Sequence, residues 1–190
     1  VDQHMCAIPE KSINRLKATL EGRLEWCLSR QRIWGVPIPA IIHDKTDFVY
    51  ISKEFIDNVA QHVAQEGIEW WDTVEIKDLL PADFDFAKYP LHELRKEQDI
   101  LDVWFESGVS YYAVLLQNKE LGFPADLYLE GKDQHRAWFQ SSLLCSMVTN
   151  DVPPMKTVLT HGFTVDEKGR KMSKSIGNVV APEQMIQDLG

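Results

Sequence analysis

Apolar residues change their spacing several times along this chain, and each change predicts an element. Ile13, Leu16 and Leu20 recur at helical spacing. They predict a helix from Pro9 to Leu20, with proline in the first turn and Gly22 as its stop. The run from Trp26 to Ile42 ends apolar and strand-like, and Pro37 and Pro39 place it at a sheet edge or an irregular start. Phe55, Ile56, Val59 and Val63 share one face of a predicted helix from Lys53 to Glu66, with Ser52 as its cap. Ile100 to Phe105 reads as a strand, Tyr111 to Leu116 as a short helix, and Asp126 to Glu130 as a second strand. Asp133 to Met147 reads as a helix and Lys156 to Val165 as a third strand, followed by a turn at 166–169. Pro182 opens a last helix.

Strands alternating with helices predict a parallel α/β sheet. In such sheets ligands bind beyond the carboxyl ends of the strands. Three polar clusters are expected there: Glu106-Ser107-Gly108, Glu130 to His135, and His161-Gly162. Residues 43–99 differ in character, being acidic and poor in glycine, and are expected to form an inserted subdomain.

Composition narrows the classes. The chain has 190 residues, enough for one domain with an insertion. Its formal charge of −9 makes general nucleic-acid binding unfavourable, because phosphate contacts dominate such affinity. Cys6, Cys27 and Cys145 are far apart and show no metal or disulfide spacing. No long apolar run suggests a membrane span, and no signal peptide is visible, so a soluble cytoplasmic protein is expected. The chain lacks an initiator methionine and stops within a helix-like pattern, which predicts a segment of a longer protein.

Candidate chemistry sits in the second half. Lys171-Met172-Ser173-Lys174-Ser175 is flanked by Gly169 and Gly177. Two lysines on a glycine-bounded loop suit a polyphosphate, because cations placed where negative charge develops assist nucleotidyl transfer. In an arbitrary basic run the same residues would be a solvated surface loop. Glu130, Gly131, Asp133 and Gln134 fall at a strand-to-helix junction. Gly131 permits close backbone approach, and Asp133 can accept from ribose hydroxyls or merely cap the helix. His161 ends a strand and suits a nucleotide or phosphate contact, or a structural role. Arg30 and Arg32 suit either an RNA end or structural ion pairs.

The pentamer 171–175 resembles the KMSKS loop of class I aminoacyl-tRNA synthetases. Asp126 to Phe139 resembles the segment DxYLEGxDQHRGWF of their isoleucyl branch, departing at Ala137. Leu101 to Gly108 resembles LDVWFDSG, with Glu106 in place of aspartate. His161 to Asp166 resembles HGFTVD, and Trp26 to Pro39 resembles WCISRQRxWGVPIP. The match is densest in 23–40 and 100–182.

This resemblance implies the second half of a class I Rossmann-like catalytic domain. Residues 1–42 would be the return segment after an absent editing insertion, 43–99 an inserted subdomain, and 100–190 the nucleotide-binding half with its loop at 171–175. It implies that Glu130, Gly131, Asp133, Gln134, His161, Met172, Ser173 and Lys174 contact ATP or the aminoacyl-adenylate. Lys171 and Lys174 would be catalytic, and Trp104 and Trp138 would line an isoleucine pocket. Substrates would be isoleucine, ATP with Mg2+, and tRNA(Ile), the last docked mainly through parts outside this chain. No resident metal is expected in this segment. No HIGH-type motif is present, so the segment alone is expected to be inactive. The alternatives are a valyl enzyme and a non-catalytic synthetase-like binding module; a P-loop NTPase is disfavoured, since no GxxxxGK[ST] follows a strand.

Overall fold

Ser52 is the clearest start signal that the chain carries. Its Oγ accepts from the Phe55 amide at 3.1 Å and caps a helix that runs from Lys53 to Glu66, as the spacing predicts. In chain order the elements of this computed structural model, which describes residues 5–190, begin with β1 (Cys6–Ile8), α1 (Ser12–Glu21), β2 (Ser29–Arg30), β3 (Ile41–His43) and β4 (Val49–Tyr50). Next come α2 (Lys53–Glu66), α3 (Trp70–Thr73), α4 (Ile76–Leu79), β5 (Leu94–Lys96) and β6 (Ile100–Leu101). The chain continues with α5 (Val103–Gly108), α6 (Ser110–Val114), β7 (Ala125–Gly131), α7 (Trp138–Asn150), β8 (Met155–His161) and α8 (Pro182–Leu189).

Contacts divide the chain into two units, one of residues 1–25 with 104–190 and one of residues 26–103. The first unit holds a three-stranded sheet in the order β1-β8-β7, parallel throughout. The parallel α/β class expected from the alternation is therefore observed. β1 carries no sequence signal of its own, being three residues long, and forms by pairing with Thr157 to Leu159. Tyr128 and Val158 turn inward from adjacent strands and meet Leu16 of α1 with Phe139 and Leu143 of α7. Met155 is fully buried in the same core. Burial of such side chains stabilises by about 1.5–3 kcal/mol each.

The second unit has its own core of Ile41, Phe55, Val59, Trp71, Leu79, Leu80 and Leu94. An antiparallel sheet, β4-β3-β5, supports it. Its other pairing, β2 with β6, is fixed by Asp102. That carboxylate is 3% exposed and accepts from Trp26 Nε1 at 2.8 Å and from the Arg30 guanidinium at 2.6 Å. Arg30 also donates to the carbonyls of Cys27 and Ser29. Of the two roles open to Arg30, the structural one is the one its contacts serve.

Four expected boundaries move, the plainest being the third strand, which ends at His161 and not Val165. The predicted strand at 100–105 stops at Leu101, and Val103 to Gly108 is helical. Helix geometry puts Gly108 against α7, where a Cβ would lie 3.1 Å from both Cys145 Sγ and the Ser141 carbonyl. Glu106, Ser107 and Gly108 consequently lie on a helix and not at a strand end. The helix predicted from Asp133 is two pieces, a 3-10 turn over Lys132–Arg136 and then α7, broken at Ala137 with φ −130° and ψ −112°. The first helix starts at Ser12 and not at Pro9, because the Pro9 and Glu10 carbonyls are taken by the Ser12 and Ile13 amides in a lead-in turn.

Candidate functional site

β7 and β8 end in register. Gly131 pairs with His161, and the polar segments that follow both strands emerge at the same edge of the sheet. Gly131 has φ −67°, which any residue adopts, so its value is space: an added Cβ would stand 2.6 Å from Asp133 Oδ1. Asp133 and Glu130 are exposed. Gln134 Nε2 donates to Asp133 Oδ2 at 3.2 Å, while Gln134 Oε1 accepts from the Trp138 amide at 3.1 Å. Gln134, rather than Asp133, thus caps α7, leaving the Asp133 carboxylate directed to solvent with one partner.

Trp138 is stacked on Tyr128, with ring centroids 4.1 Å apart and planes 6° from parallel. Its Nε1 donates to the Ser107 carbonyl at 3.0 Å and the Ser110 hydroxyl at 3.2 Å. The helix that carries Trp104 is tied in this way to Trp138. Trp104 itself is 41% exposed. Burial pushes the Tyr128 hydroxyl up to about 12, so it stays neutral through the physiological range.

The two-lysine loop is more ordered than its glycines suggest. Val165 bridges Lys171 in a short antiparallel return, and Met172 N donates to the Thr164 carbonyl at 2.9 Å. Gly169 turns the return at φ +74°, a conformation open to glycine. Asp166 holds the turn from within. Its carboxylate accepts from the Lys168 and Arg170 amides, the Arg170 Nε and the Asn178 amide. The Asn178 bond, with the backbone bonds behind it, holds the Asp166 carboxyl below its ordinary range. Asn178 also accepts from the Ser173 amide at 2.9 Å and donates to the Lys171 carbonyl at 3.2 Å. Ser173 Oγ lies 3.2 Å from Ser175 Oγ.

Phe163 joins the loop to the first cluster. Lys171 Nζ lies 3.7 Å from its ring centroid and Lys132 Nζ 4.7 Å. Lys174 is exposed and has no ion-pair partner among the described residues. His161 is exposed, with Nδ1 2.6 Å from the Gly162 carbonyl. Sequence reasoning did not single out Phe163, and it saw Asp166 only as a turn former and Asn178 only as a flank. The available signal was the spacing Asp-x-x-Gly followed by an Asn just after Gly177. Among the described residues no group of three His, Cys, Asp or Glu side chains converges as a metal site.

A parallel α/β unit with its polar loops gathered at the carboxyl ends of adjacent strands is a nucleotide-handling architecture. The family model described as tRNA synthetases class I (I, L, M and V) matches residues 2–190, and the chain belongs to that family. It is 49% identical to an isoleucine--tRNA ligase of Acinetobacter baylyi over its whole length, and 52% identical to one of Aliarcobacter butzleri over 96% of it. In each case it spans 20% of the relative, so it corresponds to about a fifth of those proteins. Among solved structures it is similar in fold to a leucyl enzyme of Agrobacterium radiobacter K84, described as a ternary LeuRS-tRNA-LeuAMS complex. That likeness has a TM-score of 0.60 at 24% identity and covers 87% of this chain and 22% of the other. No described helix is long and apolar enough to cross a membrane.

Proposed function

We propose that the chain forms the adenylate-binding and KMSKS-loop part of an isoleucine--tRNA ligase. The carboxylate of isoleucine attacks the α-phosphorus of ATP, a P–O bond breaks, and isoleucyl-AMP and magnesium pyrophosphate form. A terminal ribose hydroxyl of tRNA(Ile) then takes the acyl group, and AMP leaves. No side chain acts as a nucleophile, so the work is positioning and charge stabilisation. Magnesium enters with ATP as substrate.

The observation that supports this most is the register of Gly131 with His161, which starts the acidic cluster and the lysine loop from one sheet edge. On this reading Glu130, Gly131, Asp133, Gln134 and His161 hold the adenylate, with Asp133 accepting from ribose hydroxyls. Met172 and Ser173 contribute loop backbone. Lys171 and Lys174 neutralise the β and γ phosphates as the α-phosphorus bond breaks. Trp104 and Trp138 wall the side-chain pocket. Residues 43–99 belong to an inserted subdomain, with 1–42 leading in and 100–190 carrying the chemistry. The relatives' names favour isoleucine over valine as substrate.

Because the segment lacks a HIGH-type half, the test is isoleucine-dependent exchange of pyrophosphate into ATP by a protein that joins this chain to such a half. Lys174→Ala is expected to cost about 3–4 kcal/mol of barrier while isoleucine binding persists. Near-normal exchange in that variant would remove Lys174 from the mechanism. Faster exchange with valine than with isoleucine would transfer the assignment to a valyl enzyme.

A further inference from the structure

A cleft of about 370 Å³ opens at the carboxyl ends of β1 and β8, beside the turn that follows β7. Lys11, Ser12 and Arg15 of the first helix and its lead-in line it, together with Lys132, His135 and Thr160. It shares His161 and Gly162 with the cluster described above. No carboxylate lines it, in a chain whose formal charge is −9. Lys11, Arg15 and Lys132 have no carboxylate partner among the described residues. Three uncompensated cations facing one concavity raise the local concentration of anions.

Charge is half of the pattern. His135 is 1% exposed, and its ring is fixed edge-on against Phe139 at 5.5 Å. Its Nδ1 lies 3.0 Å from the Lys132 carbonyl, which can only accept, so Nδ1 carries the proton. The tautomer with its proton on Nδ1 leaves Nε2 as an acceptor, and Nε2 has no partner among the described residues. Ser12 Oγ and Thr160 Oγ1 are buried and equally unpartnered. Unsatisfied buried polar atoms are costly, and a ligand that satisfies them gains accordingly. The α1 amides contribute little, since those of Ser12 and Ile13 already donate to Pro9 and Glu10.

We propose that this cleft binds a ribose-phosphate unit of an RNA strand. The phosphate meets Lys11, Arg15 and Lys132, and a ribose hydroxyl donates to His135 Nε2. A bare polyphosphate offers no such hydroxyl, and DNA lacks the 2′-hydroxyl. The inference rests on the aminoacylation reading for the identity of the RNA, and it places one nucleotide of that RNA next to the adenylate cluster through His161.

The test uses the same joined protein, with Lys11→Ala and Arg15→Ala combined. Both side chains are exposed and hold no native ion pair, so the melting temperature is expected to stay put. Isoleucine-dependent pyrophosphate exchange is expected to be unchanged, while KM for tRNA rises about tenfold and the salt slope of RNA binding falls by about 1.5. In fluorescence anisotropy a short single-stranded RNA should bind more tightly than DNA of the same sequence. His135→Asn, which keeps a donor toward the Lys132 carbonyl, should erase that difference. An unmoved KM and salt slope in the double variant, with exchange intact, would overturn the proposal. So would equal affinity for DNA, or competition by inorganic pyrophosphate as strong as that by RNA. Absence of exchange in the parent chain would instead strike the aminoacylation reading, and the anisotropy comparison would still report on the cleft.

Discussion

Gly131 shows how a single residue serves the site. Its backbone angles are ordinary, so alanine fits the chain there, yet the new methyl would meet the Asp133 carboxylate at 2.6 Å. The cheapest response is for the carboxylate to swing away, since nothing but Gln134 holds it. Gly131→Ala is therefore expected to fold normally and to bind a non-hydrolysable isoleucyl-adenylate analogue about tenfold more weakly, a loss of about 1.4 kcal/mol, read by calorimetry. Unchanged affinity would mean that Asp133 does not contact the ligand. Glycine and aspartate both stand out in the sequence as candidate site residues. Their relation was not, because it depends on the 3-10 turn that replaces the expected first turn of α7.

At the scale of elements, the loop after β8 is organised by two side chains. Asn178→Ala removes bonds to Asp166, Ser173 and Lys171 in one step. Faster hydrogen exchange over 166–178 and slower adenylation are expected, with little change in global melting, because α8 and the loop contribute nothing to the buried core. Acid should act on the same element. A carboxyl held below its ordinary value contributes stability above that ordinary value, and the contribution disappears as pH falls through the depressed one. Loop protection is expected to hold from pH 8 to about 5 and to decay below about pH 4. Loss of protection already near pH 6 would show that Asp166 is not the fastener. The helices at 53–66 and from Pro182 were readable because cap, periodicity and proline agree locally. The strand expected at 100–105 failed because Val103, Trp104 and Phe105 carry strand propensity, while the close packing of Gly108 on α7 demands a helix.

For the molecule as a whole, the parallel sheet has two open edges among the described strands, and β7 is the longer of them. β7 pairs only with β8 among the described strands, and Leu127 and Leu129 are about half exposed on its outer face, at 47% and 52%. A seven-residue edge with two exposed leucines is a template for pairing with another chain. The 190-residue chain expressed alone is expected to self-associate, and Leu129→Lys to raise its monomeric fraction in sedimentation velocity. A monomeric parent at tens of micromolar would contradict this. Substrate selection also belongs to this scale. One methylene in an apolar pocket is worth about 1–3 kcal/mol, and discrimination of isoleucine from valine is itself the standing example of that limit. Tryptophan walls alone would leave the remainder to parts outside this chain.

The Asp166–Asn178 tie has a consequence for speed. A free loop with two lysines must lose its conformational freedom each time it meets a polyphosphate, at a cost of about 1–2 kcal/mol per residue fixed. On the proposed reading most of that freedom would already be gone before a nucleotide arrives, since the strap from 166 to 178 is closed on itself through the Asn178 side chain. What would be left to move is then one cross-tied strap. Lys171 and Lys174 would then arrive together, as one event rather than two, and the timing of the reaction would follow the approach of the strap.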